Sequence, residues 1–197
     1  MLGAAMRRLA RHAGLRWFRF FERSLEQGEA QGVERSALQI CLVLPGEIGA
    51  LWRDRELEVR EEMARAASER GDLCVAAYDG AVIAGYCWHA FAPVPHLDGV
   101  WVRFARHVAW PYKSFVRPAY RGRGIAQRLY RFADAAGVER GRRTSVICVE
   151  AHNAPSIAAA LRAGYRDAGG AGYLRRGGLF RDWYSAPVRR LGVSFYL

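Results

Sequence analysis

Lysine is almost absent from this chain: a single one, Lys113, stands against 29 arginines in 197 residues. Also missing is any run of about 18 apolar residues, the least that a membrane-crossing helix needs, so no spanning segment is expected. The start, Met1 to Phe21, is too broken by Arg7, Arg8, Arg11, Arg16 and Arg19 to read as a signal peptide. Cysteine is scarce. The four, Cys41, Cys74, Cys87 and Cys148, follow no metal-ligand spacing, and no metal is expected. Three lie within apolar, strand-like runs and Cys41 begins one, which reads as buried free thiols in a reducing cytoplasm. Internal repeats and low-complexity linkers are absent too, which sets aside solenoids and disordered chains.

What remains is a globular composition, 51% hydrophobic, with a net charge of +11. The length suits one well-buried domain. Such a charge raises the question of a nucleic-acid partner. The arginines, however, are spread along the chain among many Ala and Gly, as codon bias produces, and form no block. No dedicated nucleic-acid binding is expected, though an Arg-mediated binder stays as a third reading, marked by steep salt dependence. A positive field also draws in small anionic ligands.

Residues 1–35 read as a basic N-terminal extension packed on the domain, with Trp17, Phe18, Phe20 and Phe21 near its middle. Residues 36–197 read as the domain itself. There, Leu38 to Leu44 suggests a first strand and Glu47 to Arg70 one helix. Leu73 to Tyr78 and Ala81 to Phe91 suggest a hairpin turning at Asp79-Gly80. Trp101 to Phe104 and Val108 to Val116 continue the sheet, and a last hairpin turns at Gly177-Gly178. This order fits an α/β (α+β) fold, a mixed sheet with helices on both faces.

The densest information lies in Val116-Arg117-Pro118-Ala119-Tyr120-Arg121-Gly122-Arg123-Gly124-Ile125-Ala126. A strand precedes it, and Ile125, Leu129, Phe132, Ala133 and Ala136 recur behind it at helical spacing. Glycine at a strand-to-helix turn lets backbone approach a ligand closely. The helix start presents unpaired N–H groups and the positive end of its dipole, a seat for phosphate. Arg121 and Arg123 add charge-assisted donors. Alone, a Gly-Arg-Gly turn is equally a loop with solvated arginines.

In its flanks this segment resembles a family. Arg121-x-x-Gly124-x-Ala126, preceded by Val116-x-Pro118, is similar to the acyl-CoA signature of the GNAT superfamily of N-acyltransferases. A second stretch, the strand-like Thr144 to Val149, then Asn153, Ser156, a helical run to Ala163 and Gly164-Tyr165, resembles the family's next element. The resemblance implies a mostly antiparallel GNAT-like sheet and acetyl-CoA as co-substrate. It implies that main chain from Gly122 through Arg123, Gly124, Ile125 and Ala126 to Gln127 holds the pyrophosphate. Ser114, Phe115 and Val116 would pair with the pantetheine arm, and Asn153 and Ser156 would border the cofactor. One position departs: where many members carry a tyrosine acid, seven residues after the Asn, this chain has Ala160.

Acetyl transfer to a primary amine by direct attack in a ternary complex needs alignment above all, which supplies about 7–11 kcal/mol in well-oriented systems. A positioned base adds roughly two to four powers of ten. Candidates are Glu150 at a strand end, Asp98 with His96 in a loop, and more weakly His107 and His89. Lys113, flanked by Trp110, Tyr112 and Phe115, stands near the acyl group or an acidic acceptor. Each also has a plain structural reading: a solvated or Arg-paired carboxylate, turn chemistry at Asp98-Gly99, or a lysine stem covering apolar surface. A non-catalytic acyl-CoA-binding or regulatory module is the alternative. The acceptor stays open between small molecules and protein N-termini or lysines, and a homodimer is compatible with the apolar terminus Val193 to Leu197.

Overall fold

The computed structural model describes residues 12–25 and 38–197; Arg7, Arg8, Arg11 and the expected boundary at residue 35 lie outside them. Eight strands form one sheet in the order β10-β9-β1-β8-β7-β4-β3-β2. Their ranges are β1 Leu15–Ser24, β2 Gln39–Leu42, β3 Leu73–Asp79, β4 Val82–Ala90, β7 Val108–Val116, β8 Thr144–Glu150, β9 Arg166–Arg176 and β10 Leu179–Tyr184. Three short strands, β5 Val94–Pro95, β6 Trp101–Arg103 and β11 Ser194–Tyr196, make a second sheet. All pairings in the large sheet are antiparallel except β7 with β8.

That one parallel contact is short. Val108 pairs with Thr144 and Ala109 with Ser145, and there the ladder ends although both strands run on. Pro111, just beyond, carries no N–H for a ladder. Next comes a bulge: Cys87 on β4 faces Ser114 while Trp88 faces Tyr112, leaving Lys113 as the extra residue with φ of 40°. A bulge bends and twists its strand. β7 stays with β4, and β8 stays with β1 up to the pair Phe18 and Glu150. The sheet is therefore two half-sheets joined over two residue pairs, open beyond them like a V.

Strand alternation divides the core by face. Val75, Ala77, Ala84 and Cys87 pack under α3 (Ile125–Glu139) and α4 (Ala154–Arg162). Cys74, Ala76, Tyr86 and Trp88 pack on the other face under α1 (Gly49–Arg53) and α2 (Glu61–Glu69). Farther along, Phe18, Phe20, Trp110 and Tyr173 pack against the small sheet and α5 (Ala186–Arg190). Trp88 and Trp110 are fully buried in these clusters.

Three readings of the sequence need correction. Leu15–Ser24 is no covering extension but an interior strand between β8 and β9. The expected helix over 47–70 is broken: Asp54 caps a 3-10 turn through Glu56 N–H at 3.1 Å, and Glu58 is left-handed at φ of 54°. Trp101–Arg103 leaves the large sheet, and the apolar terminus pairs with it inside the chain, Phe195 opposite Val102.

Strand β1 is pinned to both helices of its face. The Arg23 guanidinium donates to Asp134 on α3 and to the Ala163 carbonyl after α4, and lies over the Tyr165 ring. Both charged side chains are nearly buried, at 10% and 7% exposure. Removing one partner of such a pair strands the other charge, a cost of about 3–5 kcal/mol. Arg23→Met should lower the free energy of urea unfolding by about that amount.

Candidate functional site

Behind the open V lies the turn that the sequence marks as a candidate anion seat. Arg117 clamps the end of β7: its N–H donates to Ala84 O at 2.9 Å, its Nε to Ile83 O at 2.7 Å, and its guanidinium pairs with Asp54 and Glu56. The chain then turns through Gly122 and Gly124, with φ of 78° and 70°. An L side chain resists that region by about 1–2 kcal/mol. The first bond of α3 runs from Arg128 N–H to Gly124 O, and no described side chain caps the helix. The N–H groups of Ile125, Ala126 and Gln127 therefore have no partner within the helix.

They border a cavity of about 820 Å³ between α3, α4 and the freed part of β7. Of the expected cofactor residues, Ser114, Phe115, Val116, Arg121, Gly122, Gly124, Ile125, Ala126, Gln127 and Ser156 line it. Two expected contacts do not. The Arg123 guanidinium lies over the Tyr120 ring at 5.3 Å. Asn153 caps α4, its side chain accepting from Ser156 N–H at 3.2 Å. Residues missed in the sequence also line the cavity: Cys87, Tyr120, Leu129, Tyr130, Pro155, Ala159 and Arg162. Helical spacing was the available signal, since Ser156, Ala159 and Arg162 share one face of α4 and Ala126 and Tyr130 one face of α3. Arg121 and Arg162 bring cationic side chains from two different elements to the same space.

The acid–base candidates gather elsewhere. Arg16 on β1 reaches both Asp98, at 2.6 Å, and Glu150, at 3.8 Å, and His152 lies 3.7 Å from Glu150. Asp98 and Glu150 are thus brought together around a cation that sequence reading had treated only as a break in an apolar run. The hydrogen bond to Asp98 raises the Arg16 pKa, against a smaller desolvation. Neither carboxylate borders the cavity. Lys113, an exposed residue at the bulge, does not border it either; partial desolvation by neighbouring protein lowers its pKa, Glu58 opposes this and Arg60 reinforces it. His107 precedes β7, about 20 Å of extended chain from Ser114. His89 is fully buried and His96 partly so, and burial depresses their pKa to about 3 and about 4. Such rings are poor bases. Cys87 borders the cavity, but burial drives its thiol pKa well up, so it stays a thiol and no nucleophile.

The described residues hold no cluster of three or more His, Cys, Asp or Glu fit for a metal, and no helix long and apolar enough to cross a membrane. Residues 38–165 match the acetyltransferase (GNAT) family. The chain belongs to that family. The match spans both cavity-forming helices and the turn, and leaves out β1, β9 and β10. Among solved structures, the chain is similar to a GCN5-related N-acetyltransferase from Sphaerobacter thermophilus. That match has 19% identity and a TM-score of 0.58, over 85% of this chain and 54% of the other. A GCN5-related N-acetyltransferase-like protein from Streptococcus suis gives 15% identity and a TM-score of 0.56, over 88% and 69%. A GNAT-family protein from Novosphingobium aromaticivorans gives 18% and 0.55, over 80% and 64%. At these identities the likeness is one of fold. The chain spans only 54% to 64% of the length of two of these structures. No curated protein matches it.

The histidines of this GNAT chain lead to a pH test. Neither His89 ring nitrogen finds a partner among the described residues. The folded pKa of His89 and His96 lies below the ordinary 6.5. Stability from burying them neutral is complete above pH 6.5 and is lost as pH falls toward about 4 and then about 3. Chemical unfolding followed down through this window should lose up to about 1.4 kcal/mol per pH unit for each histidine. His89→Leu should make the loss shallower.

Proposed function

We propose that this protein is an N-acetyltransferase that binds acetyl-CoA in the cavity beside α3 and passes the acetyl group to a primary amine by direct attack. The observation that carries this reading is the uncapped start of α3 opening on the cavity where β7 leaves β8. The unpaired N–H groups of Ile125, Ala126 and Gln127, the helix dipole and the Arg121 and Arg162 side chains suit a pyrophosphate. The freed edge of β7 suits an extended arm that adds to it as a strand would. The buried Cys87 thiol favours direct attack over an acyl-enzyme. On the opposite face, Glu150 and Asp98 around Arg16 offer a base and a carboxylate for an amine entering through the V.

A second reading, a CoA-binding module without turnover, draws on Ala160 and on the lack of a described carboxylate among the cavity-lining residues. Isothermal calorimetry and thiol release separate the two. Acetyl-CoA should bind, and an amine library should contain a member that liberates free CoA thiol. Binding with no thiol release from any amine supports the second reading; no heat with millimolar acetyl-CoA removes both. Gly124→Val, which places a β-branched residue at φ of 70° and crowds the seat, should weaken acetyl-CoA binding by about tenfold or more.

A further inference from the structure

Tyr130 projects from the second turn of α3 into the cavity and is only 6% exposed. Its hydroxyl lies 2.9 Å from Ser114 Oγ, and either can donate to the other. The ring stands edge-on to Tyr165 at 6.0 Å, which fixes its direction. Ser114 follows the bulge residue Lys113, so it sits where β7 has left β8, and it is the more exposed residue of the pair. Ala160 belongs to the same apolar cluster as Tyr130 and adds no polar group there. A ligand seated by its phosphates on the start of α3 and lying along β7 reaches Ser114 at its far end.

The chemistry at that end follows from the acetyl-transfer reading, on which this inference rests. The amine lone pair attacks the thioester carbonyl carbon and the C–N bond forms. The C–S bond breaks, its electron pair leaves on sulfur, and the amine's proton passes to water. The departing sulfur is a thiolate whose conjugate acid has a pKa of about 8.5. Burial raises the Tyr130 phenol pKa above its ordinary 10.0, so so weak a base cannot take its proton. A hydrogen bond to the growing charge is the help such a pair can give. We propose that the Ser114 hydroxyl, itself accepting from Tyr130, donates a hydrogen bond to the sulfur of the departing CoA thiolate. Ser114 is then the catalytic residue and Tyr130 the positioning one.

Thiolate stabilisation has a signature that needs no acceptor. The thiol of bound CoA should titrate below that of free CoA. Affinity for CoA relative to acetyl-CoA should then rise between about pH 7 and about pH 9, tenfold for each unit of lowering. Other groups facing the pair do not mimic this. Cys87 and Tyr165 are pushed up by burial, and the Arg121 and Arg162 side chains border the space that either ligand would fill and act on both alike. Lys113, with Glu58 and Arg60 near it, and the phosphates of the ligand affect both ligands alike.

The experiment is calorimetry of CoA and acetyl-CoA at the two pH values. It compares the unaltered protein with Ser114→Ala, Tyr130→Phe and Ser114→Thr. The affinity ratio should rise with pH in the unaltered protein and in Ser114→Thr, and stay flat in the other two. A flat ratio in the unaltered protein, or a rise kept in Ser114→Ala or Tyr130→Phe, overturns the assignment while leaving CoA binding intact. If neither ligand binds the unaltered protein, the acetyl-CoA reading falls and this inference with it.

Discussion

Everything functional in this molecule depends on two strands that stop pairing. β7 and β8 share a ladder over two residue pairs and then part, because each is held more firmly by its outer neighbour. β7 is drawn toward β4 by the bulge at Lys113 and by Tyr112, whose hydroxyl donates to the buried Asp72 carboxylate at 2.6 Å. β8 is drawn the other way by its seven-residue register with β1. Main chain with no ladder partner is costly in a protein interior. Here it faces a cavity, where a ligand with its own hydrogen-bonding groups can satisfy it.

The same division explains the order of the chain. The segment matching the GNAT family ends at residue 165, so β8 has no sheet neighbour on its outer side within that segment. β1, from before it, and β9, from after it, fill the place, with Arg23 tying β1 to α3 and to the end of α4. Arg16 on the same strand gathers Asp98 and Glu150. Strand β1 thus extends the sheet beyond β8 and also sets the charge balance on the face opposite the proposed cofactor seat.

Local signals were legible in the sequence and nonlocal ones were not. The Gly122–Gly124 turn, the periodic helix behind it and the hairpin at Asp79-Gly80 depend on neighbours within a few residues, and the structure has them where expected. β1 was missed as a sheet strand because its partners lie more than a hundred residues away, and register cannot be read from one strand. The break near Glu58 escaped because an apolar face continues through it, while Asp54 and Glu56 are held by Arg117 from a distant strand end. Tyr130 and Arg162 were overlooked for a simpler reason. Tyr130 lies on a helix read for its apolar stripe and Arg162 on one read only as a helical run, and the groups that make them notable, Ser114 and Arg121, come from β7 and the turn.

The central claim is that the uncapped start of α3 holds a pyrophosphate and the freed part of β7 holds the arm that follows it. A crystal structure of the protein with CoA tests this most directly. The account predicts the pyrophosphate on the main-chain N–H groups between Gly122 and Gln127, with the arm along Ser114 to Val116 and the sulfur near the Ser114 hydroxyl. A CoA seated elsewhere, or one whose phosphates avoid that turn, would contradict it.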